Sequence, residues 1–210
     1  MIRLLYVQGS PRGTDSHSAK VADAYLANRK GLDVDRLDLW REPLPEFDGD
    51  KAAAKMTMIT GGTLEGRAQT AWDAVTAVID RFTAADEYLF TVPMWNGGVP
   101  YRLKLYIDIL TQPGLLFGFD PAEGYDGLLA GKKATVVYTS GVYAPGAPPA
   151  FGSDFHATFF DDWLRFIGIT DIETLRFQPT LLTADYDGAL AAAVAEAARA
   201  GRGGAVAKAA

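Results

Sequence analysis

Apolar and polar positions along the chain follow two alternating rhythms. Residues 2–7 form a short apolar run that ends in Gly9, Ser10 and Pro11. A run apolar at every position but Arg3 predicts a buried strand. From Ser16 the spacing changes. Val21, Ala22, Tyr25 and Leu26 recur every three or four positions and predict a helix over residues 16–30, capped by Ser16 or Ser18 and stopped by Gly31. Val34, Leu37 and Leu39 alternate with charges, which predicts a second strand with one exposed face. Residues 40–66 are the least regular stretch, with a loop around Pro43 and Pro45 and a break at Gly61-Gly62. Ala71, Trp72, Val75, Val78, Ile79 and Phe82 then mark an amphipathic helix over residues 67–83. A strand over 87–92 stops at Pro93, and a helix over 99–110 has Pro100 near its first turn, where a missing N–H costs nothing. Residues 114–130, rich in Phe and Gly, read as an irregular excursion. A strand over 133–139, an aromatic-rich helix over 155–167, a last strand over 169–177 and an Ala-rich helix over 186–200 complete the series. The tail from Gly201 is expected to fray.

Strands alternate with helices, and three of the strands are almost wholly apolar. The pattern predicts an α/β fold: one domain over residues 1–210, with a five-stranded parallel sheet covered by helices on both faces. Five strands suit the flavodoxin-like order 2-1-3-4-5. No internal repeat or low-complexity linker interrupts it. In such sheets ligands bind beyond the carboxyl ends of the strands, around the switch point between the first and third.

Composition narrows the chemistry. The chain has 210 residues and no cysteine, which excludes thiol nucleophiles, CxxC redox motifs, iron–sulfur clusters and thiolate zinc sites. His17 and His156 are the only histidines, so no three-His metal centre can form in one chain. His156 sits beside Asp154 and near Asp161 and Asp162, but Asp161-Asp162 reads as a solvated helix edge, and no metal is expected. A formal charge of −6 makes nucleic acid and anionic membranes poor partners. The N-terminal apolar run is too short for a signal peptide, and nothing approaches the ~20 apolar residues of a membrane span. A cytoplasmic location is the expectation. The sequence lacks the GxSxG elbow of the α/β-hydrolases, the GxGxxG of dinucleotide-binding Rossmann folds and the GxxxxGK[ST] of P-loop NTPases.

Three strand-end loops remain. The first runs from Gly9 to Ser18 into a helix. Ser10, Ser16 and Ser18, with the N–H groups of His17 and Ser18, suit an anion such as a phosphate, and Arg12 adds charge. A plain Ser/Gly-rich turn with an N-cap would use the same residues. The second holds Pro93, Met94, Trp95, Asn96, Gly97 and Gly98: apolar surface for a flat ring, an amide for a heterocycle edge, and glycines that let a ring approach. A core Pro-Met-Trp followed by an Asn-Gly turn is the plain alternative. The third is Thr139, Ser140, Gly141, Val142 and Tyr143.

These loops resemble those of the bacterial FMN-dependent NADH-azoreductases, which are flavodoxin-like NAD(P)H:quinone oxidoreductases. Ser10 to Ser18 is similar to the family's phosphate loop, and Pro93-Met94-Trp95-Asn96 to its Pro-Met-[Tyr/Trp]-Asn flavin loop. Leu103-Lys104 with Tyr106 and Asp108 matches the following helix. Gly131-Lys132-Lys133-Ala134 and Phe166-Ile167-Gly168-Ile169 also fall where the family has such segments. The likeness covers roughly residues 2–200. It implies an FMN-binding homodimer that is reduced by NADH or NADPH and then reduces a quinone or azo compound in a ping-pong sequence. It implies FMN contacts from Ser10, Arg12, Ser16, His17, Ser18, Pro93, Met94, Trp95, Asn96, Gly97, Thr139, Ser140, Gly141 and Val142, the last three through backbone N–H groups at the pyrimidine edge. No protein side chain is expected to act as catalyst, because the flavin carries the chemistry. Trp95, Phe117, Phe119, Tyr125, Tyr143 and Phe151 are candidates for an aromatic substrate slot, with Phe117 and Phe119 of the 114–130 excursion reaching toward a partner subunit; covering a dimer interface or a local cluster is the alternative for those two. Two departures stand out. The family usually has a bulky residue where Gly97 stands, and a second glycine where Val142 stands. A non-catalytic FMN electron carrier or redox-responsive binding module is the competing reading. The aromatics of 40–66 and 114–130 favour a covered site over a carrier's exposed flavin edge.

Overall fold

A computed structural model describes residues 1–203. The chain runs β1 (Ile2–Gln8), α1 (His17–Asn28), β2 (Leu32–Asp38), α2 (Gly49–Ile59), α3 (Gly66–Thr83), β3 (Glu87–Pro93), α4 (Tyr101–Leu110), β4 (Phe117–Asp120), β5 (Gly124–Gly127), β6 (Lys133–Thr139), α5 (Ala157–Phe166), β7 (Asp171–Phe177) and α6 (Tyr186–Gly203). Five strands form one sheet in the order β2-β1-β3-β6-β7, and every neighbouring pair is parallel. Leaving out the β4–β5 hairpin, this is the expected order 2-1-3-4-5.

The apolar runs are explained by helices on both faces. Successive strand residues point to opposite sides. Leu5, Val7, Phe90 and Val136 pack under α3, α4 and α5, against Ile79, Phe82, Tyr106, Phe160 and Trp163. Leu4, Tyr6, Leu89 and Val137 pack under α1 and α6, against Val21, Tyr25, Ala193 and Ala197. Each such side chain contributes roughly 1.5–3 kcal/mol by leaving water. Arg29, at the end of α1, forks onto both oxygens of Glu87 on β3 at 2.7 and 2.9 Å and pins that helix to the sheet.

Three segments differ from expectation. Residues 40–66 contain α2, capped by Asp48, whose carboxylate accepts from the Lys51 N–H at 3.2 Å. Its apolar periodicity is weak because only Lys51 and Ala54 are buried, while Met56, Met58 and Ile59 face outward. The 114–130 excursion contains an antiparallel hairpin, turned where Asp120 accepts from the N–H groups of Ala122 and Glu123 at 2.7 and 3.2 Å. One of its glycines serves close approach: a Cβ on Gly127 would lie 2.1 Å from the nitrogen of Gly168. The expected fraying at Gly201 is corrected too. The last helix continues to Gly203, and Gly201 is buried where a Cβ would stand 2.4 Å from the Tyr25 carbonyl. The rest of that tail, 204–210, lies outside the described residues. Among the described residues no helix is long and apolar enough to cross a membrane, and no group of His, Asp and Glu is arranged to hold a metal.

Candidate functional site

The carboxyl ends of β1, β3 and β6 bring the three loops together. At the first, the Gly9 N–H donates to the carbonyl and hydroxyl of Thr91 at 3.0 and 3.2 Å. A Cβ on Gly9 would sit 2.5 Å from the Thr91 oxygen, so only glycine lets the loop leave the sheet here. The chain then passes Arg12 and a single 3-10 turn, Gly13–Asp15, before α1 begins. Ser16 is the N-cap, with its hydroxyl accepting from the Ala19 N–H at 3.4 Å and lying 2.9 Å from the Ser18 hydroxyl. Among the described residues the N–H groups of His17 and Ser18 meet no acceptor. They are the free donors of a helix N-terminus, where the helix dipole also favours negative charge.

The second loop is a tight turn. Trp95 and Gly98 exchange backbone hydrogen bonds of 2.8 and 2.9 Å. Asn96 and Gly97 between them have φ of 51° and 80°. Two consecutive left-handed residues are the signature of a type I′ turn, which favours Asn-Gly. The plain alternative for Asn96-Gly97 is thus realised, while Trp95 is left at the surface. The third loop follows Thr139. Its Ser140 hydroxyl donates to the Tyr143 carbonyl and accepts from Gln178 Nε2 at 3.0 Å. The Met94 N–H donates to the Thr139 carbonyl at 2.7 Å and ties the second loop to the third.

Between the loops lies a cleft of about 290 Å³, lined by Ser10, Pro11, Arg12, Ser16, His17, Pro93, Met94, Trp95, Thr139, Ser140, Gly141 and Thr180. One end is cationic and rich in donors, the middle apolar, and the far side polar. His17 reports the local field: desolvation first, then the positive charges of Arg12 and Lys20, lower its pKa. A second, shallower groove of about 470 Å³ shares Trp95 and runs past Asn96, Val99, Tyr101, Lys104, Leu105 and Asp108.

The flavodoxin-like-fold family matches residues 2–200. An FMN-dependent NADH:quinone oxidoreductase from Ruegeria pomeroyi is 55% identical over 93% of this chain and 100% of the relative. The chain belongs to this family. A second member, from Desulfotalea psychrophila, is 40% identical over 94% of this chain and 95% of its own. Among solved structures, an azoreductase from Bacillus anthracis superposes with a TM-score of 0.87 at 27% identity, covering 97% of this chain and 100% of that one.

The structure separates the residues that the family resemblance had grouped. Ser10, Arg12, Ser16, His17, Pro93, Met94, Trp95, Thr139, Ser140 and Gly141 share one cleft. Ser18 is fully buried behind Ser16, while Asn96, Gly97 and Val142 lie outside the cleft lining. Phe117, Phe119, Tyr125, Tyr143 and Phe151 do not line the cleft of a single chain. Phe117 packs instead on Phe166, with ring centroids 4.9 Å apart, and Tyr125 joins that cluster at 5.3 Å from Phe166. Phe119, Tyr125 and Phe151 are exposed. Asp161 is not a solvated helix edge: it accepts the Tyr138 hydroxyl at 2.5 Å.

Trp40, Thr180 and Gln178 are absent from the sequence-based set. Trp40 donates from Nε1 to the Gly9 carbonyl at 3.0 Å, and its ring lies 5.3 Å from Trp95 and 5.2 Å from Tyr101. Arg102 on α4 steadies that corner by donating to the carbonyls of Leu39 and Glu42 at 2.7 and 3.1 Å. Trp40 follows β2, and Gln178 and Thr180 follow β7. The carboxyl-end rule, applied to all five strands rather than three, would have found them.

The residues present suit the family's cofactor. Unpaired N–H groups and the Ser16 hydroxyl beside Arg12 suit a phosphate; Pro93, Met94 and Trp95 suit the face of a fused ring. The size falls near the lower end of the ~300–1,000 Å³ usual for small-molecule sites.

Proposed function

We propose that this chain works as a homodimeric, FMN-dependent NADH:quinone oxidoreductase that reduces quinones or azo compounds by two electrons in a ping-pong sequence. The observation that carries the reading is the convergence of the three loops on one cleft, with the unpaired N–H groups of His17 and Ser18 at one end. When bound, FMN would supply the redox chemistry, hydride uptake from NADH or NADPH and two-electron reduction of the oxidant.

The protein's own part is binding and orientation. Ser10, Ser16 and the N–H groups of His17 and Ser18 would hold the phosphate, with Arg12 beside them. Ser18, behind Ser16, keeps that hydroxyl aimed. Pro93, Met94 and Trp95 would support the ring, and the backbone of Ser140 to Val142 would meet its pyrimidine edge. Trp95 borders both the cleft and the groove, so its ring would receive nicotinamide and oxidant in turn. Asn96 and Gly97 serve by holding that turn. Phe119, Tyr125 and Phe151 are exposed and free to cover a partner's cleft in the dimer.

The test is spectroscopic. The purified protein is mixed with FMN, titrated anaerobically with NADH and then given a quinone. Bleaching of the flavin absorbance by NADH and its return on adding quinone are expected. Absence of flavin binding would overturn the reading. Flavin that binds but is never bleached would leave the electron-carrier alternative.

A further inference from the structure

Ser140 is held by a directed chain of side chains that the roles above leave unused. Arg176 on β7 donates from Nη1 to Gln178 Oε1 at 2.9 Å. Gln178 donates from Nε2 to Ser140 Oγ at 3.0 Å, and the Ser140 hydroxyl donates in turn to the Tyr143 carbonyl. Chemistry forces the direction. A guanidinium has only donors, so the Gln178 amide must turn its oxygen toward Arg176. Its NH2 group then faces Ser140, which accepts there and must donate on its other side. The backbone repeats the brace: the Thr180 N–H donates to the Ser140 carbonyl and the Leu181 N–H to the Gly141 carbonyl, both at 2.8 Å. The carbonyls of this turn are thereby occupied, while among the described residues the N–H groups of Gly141 and Val142 meet no acceptor.

Arg176 is half-buried and, among the described residues, makes no ion pair. Its guanidinium lies over the Tyr138 ring, 5.1 Å from the centroid. The nearby Asp161 is occupied with the Tyr138 hydroxyl. A cation without a counter-ion thus sits at the head of a polarised hydrogen-bond chain that ends in the third loop of the cleft.

We propose that Gln178 and Arg176 are positioning residues that set the polarity of the Ser140–Tyr143 turn and so make reduction of the flavin held there more favourable. This rests on the FMN reading. Chains of hydrogen bonds polarise one another in a low dielectric. A positive, donor-rich environment at the pyrimidine edge favours the reduced, more negative flavin. A unit charge about 10 Å away, at an effective dielectric of ~20, changes such an equilibrium roughly tenfold.

The experiment compares wild type with Gln178→Glu, Arg176→Met and Arg176→Lys. Three quantities are measured: FMN affinity by fluorescence, the midpoint potential by equilibration with a reference dye, and the melting temperature without flavin. Gln178→Glu is the discriminating variant. Its carboxylate pairs with Arg176, so the fold is kept or strengthened, but it only accepts, so the Ser140 hydroxyl turns to donate to it and the Tyr143 carbonyl loses its partner. The ratio of reduced to oxidised flavin affinity is expected to fall at least about tenfold, which for a two-electron couple is about 30 mV toward negative potential. Arg176→Met should fall by a similar factor at an unchanged oxidised-FMN affinity, and Arg176→Lys should stay within about threefold of wild type. Wild-type potentials in both Gln178→Glu and Arg176→Met, or equal losses in Arg176→Lys and Arg176→Met, would overturn the relay while leaving the FMN reading intact. Failure of the wild type to take up FMN would overturn the FMN reading, and the relay with it.

Discussion

His156 is fully enclosed beside β3. Its Nε2 lies 2.7 Å from the Val92 carbonyl, its ring meets the Tyr138 edge at 4.8 Å, and its Nδ1 has no partner. The Val92 oxygen can only accept, so Nε2 carries the proton and Nδ1 is a buried bare lone pair. Desolvation pushes its pKa down from 6.5 to about 4, against the hydrogen bond to Val92 and the charge of Asp154, which pull upward. The unfolded chain therefore binds this proton first as pH falls. The stability contributed by the neutral ring is complete above pH 6.5 and is lost progressively down to about pH 4. The loss amounts to about 3 kcal/mol. Denaturant titrations between pH 4 and 7 should show it in wild type and not in His156→Gln; equal slopes would refute it. Ser16 offers a second test. As the N-cap of α1 it is expected to cost about 1 kcal/mol when replaced by alanine. Equilibrium dialysis of Ser16→Ala should also show FMN bound at least several-fold more weakly, since the hydroxyl and the aim of two N–H groups go together.

At the scale of elements, α6 makes a sharp contrast between two glycines. Gly201→Ala places a methyl group 2.4 Å from the Tyr25 carbonyl, so α1 and α6 must part. A loss of about 1–3 kcal/mol is expected, as for other overpacked cores. Gly203→Ala meets nothing within 4 Å and should change stability by less than about 0.5 kcal/mol. Thermal melts of the two variants decide the point. The same contacts explain what could be read in the sequence. β1, β3 and β6 were legible because both their faces are buried and their runs are accordingly apolar. Gly127 in the hairpin and Gly201 in the last helix look like breaks in a string of letters. Here they mark backbones pressed together across long sequence distances, against Gly168 and Tyr25, which local spacing cannot encode. Much of the candidate site was legible for a different reason, since strand ends can be located from periodicity and their loops then read for polar and aromatic residues. Trp40 and Gln178 escaped because only three of the five strand ends were read; their positions just after β2 and β7 were legible, while their partners, Gly9 and Ser140, lie 31 and 38 residues away and were not.

For the whole molecule, the charge of −6 and the cationic end of the cleft act in opposite senses on an anionic ligand. The overall field repels from a distance, while Arg12 and the α1 terminus attract only at close range. Salt shortens the reach of both to about 10 Å at 0.1 M, which removes the distant repulsion and spares the contacts. Stopped-flow association of FMN with the apoprotein should therefore quicken several-fold between ~10 mM and 0.2 M salt, with little change in the dissociation rate. A marked slowing would mean that the cationic patch, and not the net charge, governs approach. The four tryptophans divide along a related line. Trp72 and Trp163 are buried in the core, whereas Trp40 and Trp95 stand together at the rim of the cleft. The molecule thereby carries two optical channels. A water-borne quencher such as iodide should dim the rim pair and spare the core pair until the chain unfolds, and filling the cleft should shield the rim pair, so the unlabelled protein can report occupancy and integrity through quencher access.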